Sequence, residues 1–273
     1  MNEKIVISAS RRTDIPAFYT EWFLKSVSMG KVEVENPYNK KKYCVSLKKN
    51  DVHSIVLWSK NFYPLLKRIN ELNHYHLFFM YTLNDCSYLE QNVPDLNKRF
   101  EQIDFIIKKF GKEYLFLRFD PLVFWQENKV LHNNISTFKK VIEKLAFFKI
   151  MNLKTSFMDT HYKKLKTRNV QFIEVPHDQK LAIVKQFMEI ANQYGIQLEF
   201  CCNEFLFKEN LPGLIKASCI NGKYLANVTG EPTILKKDKS QRKDCQCTYS
   251  RDIGSYSQVC YHKCLYCYAN PIK

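Results

Sequence analysis

Six short apolar runs, separated by amphipathic segments, constrain the fold of this chain more than any other feature. Each run is rich in β-branched or aromatic residues and is bounded by turn-forming or charged residues, which is typical of buried strands. The runs lie at 4–10, 53–59, 76–82, 114–120, 152–158 and 196–202. Helical patterns occupy intervals between them, at 16–29, 61–72, 93–110, 134–149 and 178–194.

This alternation of strands and helices predicts parallel βα units and therefore an α/β fold. Six units in a chain of 273 residues favour a (β/α) barrel, complete or incomplete, over the alternative of an open doubly wound sheet. The segment 31–47 departs from the rhythm and predicts a hairpin with a turn near 37–39. Cys44 lies in its return strand and is predicted to be a packed thiol, as is Cys86. We assign residues 1–204 to a barrel-like domain with this hairpin as an insertion.

The remaining segment, 205–273, loses the βα rhythm. It carries several Gly and Pro residues and is dense in Lys and Arg between 236 and 263. Such a composition makes a poor hydrophobic core but a suitable metal-binding loop region. We therefore expect an irregular cysteine-rich cap that folds around metal and packs over the mouth of the barrel.

Three thiols near the end of this sequence, Cys260, Cys264 and Cys267, have the spacing C-x3-C-x2-C. A structural zinc site needs four ligands, usually as separated pairs. Three thiolates on one tight loop suit a [4Fe–4S] cluster that leaves one iron open to another ligand. Zinc or ordinary buried thiols are the alternatives. The tyrosines between and after these cysteines, Tyr261, Tyr266 and Tyr268, would screen a cluster from water.

A second set of thiols precedes the triplet. Cys245 and Cys247 form a C-x-C pair, and Cys219 and Cys202 could complete four ligands for a second cluster. The alternative is that the C-x-C pair supplies a fourth ligand to the first cluster and so closes its open iron. One or two [4Fe–4S] clusters are therefore predicted.

Polar side chains follow every predicted strand, where βα proteins gather their chemistry. Arg118 lies inside an otherwise apolar run, and a buried arginine needs a carboxylate partner, for which Asp120, Asp14 and Glu204 are available. We predict Arg118, Asp120 and Glu204 as catalytic residues. Lys60 and Asn84, which follow the second and third strands, are predicted cofactor contacts.

The stretch SRRTDIP after the first strand has two interpretations. Asp14 followed by Pro16 predicts a helix start with Asp14 as its N-cap. Arg11 and Arg12 would then lie beside a helix N-terminus, where a carboxylate or phosphate group is favoured. Under that interpretation Arg11, Arg12 and Asp14 contribute to cofactor binding.

Composition limits the compartment and the partners. No run of about 18 apolar residues is present, and residues 1–12 lack the features of a signal peptide, so we expect no membrane association and a cytoplasmic location. Ten cysteines then favour metal or redox chemistry over disulfides. The formal net charge of +15 fits either lysines on solvated faces or a nucleic-acid partner.

The triplet resembles the signature of the radical S-adenosylmethionine (SAM) enzymes in its spacing and its trailing Tyr-Ala. That resemblance implies that the open iron binds SAM, that the reduced cluster cleaves it to a 5′-deoxyadenosyl radical, and that a flavodoxin or ferredoxin supplies the electron. In that family the triplet follows the first barrel strand, whereas here it lies at residues 260–267. The segment Gly230–Glu231–Pro232 is similar to part of the family's SAM-binding GGEP segment, which implies Glu231 as a further cofactor contact.

The chain as a whole resembles an uncharacterised bacterial domain-of-unknown-function family with a radical-SAM-like C-terminal cysteine cluster. The matching stretches are ISASRRTDIPAFY at 7–19, VLWSKN at 56–61, YTLN at 81–84, LRFDP at 117–121, SCINGKYL at 218–225 and the segment 237–269. More distantly, the tail is similar to that of spore photoproduct lyases, which act on DNA. This likeness and the positive charge imply a substrate related to nucleic acids.

Three hypotheses about function follow from these observations. The first is a radical SAM-type enzyme with an iron–sulfur cluster on a βα barrel. The second is a non-enzymatic iron–sulfur electron carrier or a redox-gated nucleic-acid binder. The third is a zinc-stabilised hydrolase that uses carboxylates of the barrel.

Overall fold

The structure, a computed structural model, describes residues 3–209 and 211–269. Its strands in chain order are β1 (Ile5–Ala9), β2 (Lys31–Glu35), β3 (Lys42–Ser46), β4 (Val52–Ser59), β5 (Leu77–Thr82), β6 (Leu115–Leu122), β7 (Phe124–Glu127), β8 (Val130–Asn133), β9 (Asn152–Phe157), β10 (Gln171–Phe172), β11 (Gln197–Phe200), β12 (Ile215–Lys216) and β13 (Arg251–Asp252). Its α-helices are α1 (Ile15–Phe18), α2 (Thr20–Ser28), α3 (Tyr63–Leu66), α4 (Leu96–Phe110), α5 (Ser136–Phe147), α6 (His177–Gln193), α7 (Glu204–Phe207) and α8 (Gly222–Thr229).

Eight parallel strands form the central sheet, in the order β12-β11-β9-β6-β5-β4-β1-β13. From β1 to β12 the order follows the chain, whereas the strand order of a doubly wound sheet reverses at a switch point. The six predicted strands and their parallel arrangement are confirmed. Closure into a barrel is not observed, because no pairing joins the edge strands β12 and β13 within residues 3–209 and 211–269.

The two faces of this sheet are covered by different parts of the chain. Leu57 and Phe79 belong to the larger core, which also contains buried residues of α2, α4, α5 and α6. Their neighbours Val56 and Phe78 lie on the opposite face and pack with Leu225 of α8 and with several cysteines. Because side chains alternate along a strand, a sheet covered on both faces needs apolar residues throughout. This explains why all eight residues of β4 are buried.

The long predicted helices are confirmed as α4, α5 and α6. The helix predicted at 16–29 is instead divided into α1 and α2 at Tyr19, whose hydroxyl donates to the carbonyl of Val259 at 2.8 Å. The helix predicted at 61–72 contains only α3 and a 3-10 turn, Ile69–Leu72. Its buried residues Ile69 and Leu72 are three positions apart, a spacing that suits a 3-10 turn. No helix among the described residues is both long and apolar enough to span a membrane.

The segment after residue 204 contains more regular structure than the predicted irregular cap. It contributes β12 and β13, which form the two edges of the central sheet, and the helix α8. Residues 270–273 of the predicted tail lie outside the described residues. The hairpin predicted at 31–47 is confirmed as β2 and β3. The prediction of a packed Cys44 is wrong, because this thiol is exposed on β3, opposite Glu33.

Candidate functional site

The C-terminal tail meets the carboxyl ends of β1, β4 and β5, the edge where parallel α/β proteins place their ligand sites. Ser8 and Ser10, at the end of β1, both donate hydrogen bonds to Asp252 of β13, at 2.9 and 2.6 Å. Lys60 and Asn84, which follow β4 and β5, both donate to the hydroxyl of Tyr266, at 2.6 and 3.3 Å. The tail therefore brings its cysteines to this edge.

The loop that carries the triplet is held in place by Arg168. Its guanidinium donates to the carbonyls of Cys264, Leu265 and Cys267 at 2.8, 2.7 and 2.6 Å. The amide of Leu265 also donates to the carbonyl of Leu89 at 2.8 Å. The conformation of the loop is thus fixed by contacts of the protein itself.

A buried polar set lies beneath the triplet loop. Lys60 forms an ion pair with Glu90, and the hydroxyl of Tyr266 donates to the same carboxylate. Burial alone would lower the pKa of Lys60, but Glu90 and Cys264 raise it overall. Burial would raise the pKa of Glu90, but Lys60 and Arg99 lower it overall. Both groups are therefore charged at neutral pH, although a buried pair of this kind contributes little net stability.

A second polar set links the loop to β1 and β4 through Asp14. This buried carboxylate caps α1 by accepting the amide of Ala17 at 3.0 Å, as the sequence predicted. It also accepts the Ser59 hydroxyl at 2.7 Å, the Lys60 amide at 3.0 Å and a ring nitrogen of His262 at 3.0 Å. His262 lies inside the triplet loop and is buried rather than on the surface. The structure thus confirms Asp14 as the N-cap of α1.

The thiols of the triplet lie close enough to influence one another. Burial, then Asp14 and Cys267, raise the pKa of Cys260 to about 12. Burial also raises the pKa of Cys264, with contributions from Cys267 and Cys260. These two thiols are therefore protonated at neutral pH without metal, and a metal would have to displace their protons.

Five other cysteines form a separate group, which we call the thiol ring: Cys201, Cys202, Cys219, Cys245 and Cys247. The sulfur atoms of Cys201 and Cys202 are 3.7 Å apart. All five side chains pack in one small cluster. Within it, neighbouring thiols influence one another's pKa: Cys202 and Cys245, Cys245 and Cys247, Cys247 and Cys219, and Cys219 and Cys201. The contacts of Cys245 and Cys247 are thus with this group rather than with the triplet.

Three arginines surround the thiol ring. Arg11 is hydrogen-bonded to Cys247, and its guanidinium lies 4.9 Å from the ring centroid of Trp58. The Arg118 guanidinium lies 5.4 Å from the Trp58 ring centroid and forms an ion pair with Asp120. Burial would lower the pKa of Arg118, but Asp120, Cys219 and Cys201 raise it. Asp120 also accepts a hydrogen bond from the hydroxyl of Ser156.

Arg242 is the third cation beside the thiol ring. Burial would lower its pKa, but Cys202 and Cys201 raise it.

Tyrosines and cations link the two cysteine groups, because Arg242 interacts electrostatically with Cys202 and Tyr268 with Cys267. Tyr162 and Tyr268 stack with ring centroids 4.7 Å apart, and both interact electrostatically with Arg242. Tyr256 lies against two cations, Arg12 at 5.7 Å and Lys164 at 5.5 Å. We call these six residues the aromatic rim: Arg12, Tyr162, Lys164, Arg242, Tyr256 and Tyr268.

Not every predicted site residue reaches this edge. Glu231 forms an ion pair with Lys4 at 2.7 Å and lies 3.5 Å from His76, which places it at the amino ends of β1 and β5. Glu204 follows β11 at the carboxyl edge, but its carboxylate forms an exposed ion pair with Lys216 at 3.1 Å. The structure does bring the other predicted residues to the cysteine groups: Arg11, Arg12, Asp14, Lys60, Asn84, Arg118, Asp120, Cys202, Cys219, Cys245, Cys247, Cys260, Cys264 and Cys267. No three Cys, His, Asp or Glu side chains in the described part of the chain already have the arrangement of a metal-ion site.

Several residues of the site were not predicted from the sequence. Cys201 was passed over, although its position beside Cys202 at a strand end was a usable signal. Glu90, Arg168 and Arg242 lie in segments without strand or helix periodicity, and only the folded chain shows their contacts. The partner of Arg118 is Asp120 rather than Asp14 or Glu204.

Comparison with curated proteins finds no match to this chain. A family model, described as Domain of unknown function (DUF1848), matches residues 6–269. The matched region begins in β1 and includes the thiol ring, the aromatic rim and the triplet loop. Because the match covers nearly the whole chain and all of the site, the protein belongs to the family of this domain of unknown function, DUF1848.

Proposed function

We propose that the triplet Cys260, Cys264 and Cys267 holds a [4Fe–4S] cluster with one open iron, and that the protein is a radical SAM-type enzyme. The observation that carries this proposal is the triplet loop itself. One loop supplies three sulfur ligands, and Arg168 fixes that loop at the carboxyl edge of the parallel sheet. The C-x-C pair that could have supplied a fourth ligand is in contact with the thiol ring instead.

The donor set fits such a cluster better than it fits zinc. Structural zinc takes four protein ligands, whereas three thiolates leave one iron of a cubane open. His262 has both ring nitrogens engaged, with the Asn92 carbonyl and with Asp14, each at 3.0 Å. Cys86 packs in the same small hydrophobic cluster as Cys264, but it follows β5 and does not belong to the triplet loop. We propose that Cys86 is not a ligand, which the variant Cys86→Ala tests.

Acceptor atoms beside the triplet fit the amino acid portion of SAM. One carboxylate oxygen of Glu90 and the amide oxygen of Asn84 are buried without a protein hydrogen-bond partner. Buried polar atoms without partners are costly, so a ligand donor such as an ammonium group would be stabilised there. A reduced cluster with an open iron supplies the electron that cleaves SAM. The role of Lys60 and Tyr266 is to hold Glu90 ionised and oriented.

We propose that the substrate binds where Arg242 and Tyr268 link the triplet to the thiol ring. Arg118 and Asp120, a largely buried ion pair beside the thiol ring, would contact it. The aromatic rim offers three tyrosines and three cations, a combination that stacks bases and attracts phosphates. We therefore propose a substrate related to nucleic acids. We also propose that the parallel sheet is an incomplete barrel, whose strand order already follows the chain as in a barrel.

The cluster is tested by anaerobic purification of the full chain, followed by iron and sulfide analysis. We expect about four iron and four sulfide per chain to depend on the triplet. The variant Cys264→Ala should lose them, whereas Cys44→Ala, which removes an exposed thiol far from the site, should keep them. Cys86→Ala should also keep them, and loss of iron in that variant would show that the cluster is closed.

Catalysis is tested by reducing the protein with dithionite, or with flavodoxin or ferredoxin, in the presence of SAM. We expect 5′-deoxyadenosine to form and the electron paramagnetic resonance spectrum of the cluster to change when SAM binds. A cluster whose spectrum is unaffected by SAM would identify an electron carrier. Zinc in place of iron at the triplet would refute the radical mechanism.

The substrate class is tested by the binding of a single-stranded oligonucleotide at several salt concentrations. Affinity should fall as salt rises, and Tyr162→Ala or Arg242→Ala should weaken it. The matched control is Lys108→Ala, which removes an exposed cation near the end of α4, where the chain returns to the amino end of β6. Equal binding by the rim and control variants would refute this assignment.

A further inference from the structure

The thiol ring groups more cysteines than an ordinary apolar core requires. Its five side chains pack in one small cluster, in which the sulfurs of Cys201 and Cys202 are 3.7 Å apart. Four of the five residues are buried, and Cys202 is half-buried. Cysteines from three separate segments, at 201–202, 219 and 245–247, reach this cluster. Apolar packing alone can be met by any small hydrophobic residue and does not require five thiols in one place.

The backbone at Cys202 adopts an unusual conformation that brings its thiol to the ring. Consecutive side chains of an extended strand point to opposite faces, so two adjacent cysteines cannot normally share one centre. Cys202 has a φ of +53°, in the left-handed region that non-glycine residues rarely adopt. This turn brings its sulfur to 3.7 Å from that of Cys201. Such a conformation costs about 1–2 kcal/mol and persists where surrounding structure or function requires it.

The charges around the ring favour an anionic centre. Three arginines interact with these sulfurs: Arg11, Arg118 and Arg242. Two carboxylates compensate part of their positive charge, Asp252 beside Arg11 and Asp120 beside Arg118. One guanidinium nitrogen of Arg11 and the Nε of Arg118 are buried without a hydrogen-bond partner. Three cations beside neutral thiols would be poorly compensated, whereas thiolates bound to a metal would neutralise them.

Backbone donors are also directed at the sulfurs. The amide of Ile220 lies 3.4 Å from the sulfur of Cys247, and the amide of Cys247 lies 3.5 Å from the sulfur of Cys245. Amide donors of this kind stabilise thiolate ligands of metal centres.

The ring also joins the two edges of the central sheet. Cys201, Cys202 and Cys219 follow β11 and β12 at one edge, and Cys245 and Cys247 precede β13 at the other. No strand pairing joins these edges within the described residues. A ligand held by both groups of thiols would connect the sheet at the position where hydrogen bonds do not.

We infer that the thiol ring is a second metal centre, in which one zinc-type ion is bound by four thiolates and links the two edges of the sheet. Cys219, Cys245 and Cys247 supply three ligands, and the Cys201–Cys202 pair supplies the fourth. Binding replaces four S–H bonds by four metal–sulfur bonds and releases four protons, with no change of oxidation state. This inference does not depend on the cluster proposed for the triplet.

Compact packing of the thiols favours a single ion over a second iron–sulfur cluster. Four thiolates complete the coordination of one zinc ion, in which the sulfurs lie ~3.8 Å apart. A cubane binds each thiolate to a different iron, which requires sulfurs that are farther apart. The five cysteines of the thiol ring pack in one small cluster of buried residues, which suits the smaller site. Because no three of these side chains already have the arrangement of a metal-ion site, they must reorient when the ion binds.

The test uses the full chain with Cys260, Cys264 and Cys267 replaced by serine, so that metal at the triplet does not contribute. We expect about one zinc per chain after purification, and exchange for Co²⁺ should give the intense visible bands of a tetrahedral tetrathiolate site. Cys219→Ser and Cys247→Ser in this background should abolish these bands, whereas Cys44→Ser should leave them unchanged. Cys201→Ser and Cys202→Ser together should abolish them as well.

A second measurement remains informative if those serine variants do not fold. Chelation of zinc from the otherwise unaltered triplet-free protein should lower its thermal midpoint, and added Zn²⁺ should restore it with proton release. Iron with sulfide on the ring, a chain without metal, or disulfides among the five thiols would each overturn the inference. None of these results bears on the triplet, so failure here is distinguishable from failure of the proposed function.

Discussion

Replacement of Arg168 by alanine is the sharpest structural test of the triplet loop. The Arg168 guanidinium donates three hydrogen bonds to carbonyls of this loop, at 2.6–2.8 Å. Each hydrogen bond to a charged group contributes roughly 1.5–3 kcal/mol. Because Arg168 is half-buried, water will satisfy part of the carbonyl groups in the variant. We therefore expect the variant to lose about 3 kcal/mol of the free energy that stabilises the closed loop, which is less than the sum of three such hydrogen bonds.

A loss of this size raises the open population of the loop by roughly a hundredfold. The assay is hydrogen exchange at the amide of Cys267, which donates to the carbonyl of Cys264 at 3.0 Å. Protection of this amide should fall by that factor in Arg168→Ala, while amides of β4 keep theirs. Arg168→Lys should recover only part of the protection, because an ammonium group cannot reach all three carbonyls in a planar fork.

The same variants should differ in iron retention during anaerobic gel filtration. Arg168→Ala is expected to lose iron, and Arg168→Lys should be intermediate. A variant Arg168→Ala with normal protection at Cys267 and full iron content would refute the argument that this side chain holds the triplet loop.

Three further predictions concern stability, each measured by urea unfolding. Glu90→Ala should lower the free energy of unfolding by about 3–5 kcal/mol, because it leaves the Lys60 ammonium buried without its partner. Recovery of stability in the double variant Lys60→Met/Glu90→Leu would confirm this cause. An unchanged free energy of unfolding in Glu90→Ala would refute it. Gly222→Ala should lower the free energy of unfolding by about 1–3 kcal/mol, because the added Cβ would lie 2.8 Å from the carbonyl oxygen of Ile234. An unchanged urea midpoint would contradict this close packing around Gly222. Burial lowers the pKa of His53, so the native ring stays neutral and stability should fall as pH drops below the unfolded value of about 6.5. His53→Gln should show a smaller loss between pH 7 and pH 5.5, and an identical pH profile would exclude this residue as a source.

The buried ion pair under the triplet explains how a polar site can persist in a packed protein. Lys60 and Glu90 are among the least exposed charged residues at this edge, with side-chain exposures of 15% and 2%. Such pairs rarely add net stability and are costly when incomplete. Charged groups that are buried and mutually compensated mark candidate functional sites, because stability alone does not require them.

The sequence by itself determined the parallel sheet, its main strands and the edge at which chemistry gathers. Near-continuous apolar runs such as Val52–Ser59 can only be buried on both faces, and strands that alternate with amphipathic helices can only pair in parallel. The spacing of Cys260, Cys264 and Cys267 likewise places three sulfurs on one loop whatever the fold. These features are local, so periodicity and spacing are sufficient to read them.

Only the tertiary structure decided which thiols belong together and which charges compensate one another. Cys202 and Cys247 are far apart in sequence and lie next to β11 and β13, on opposite sides of the sheet. They enter one cluster only because the loops around them pack together. The contacts of Glu90 and Arg168 arise from segments without periodic pattern. Glu231 lies in a segment similar to the GGEP motif, but in the fold it lies at the amino ends of β1 and β5, away from the cysteines. Long-range contacts depend on how the whole chain packs, and no local pattern encodes them; for this reason the triplet was found from the sequence and the thiol ring was completed only in the fold.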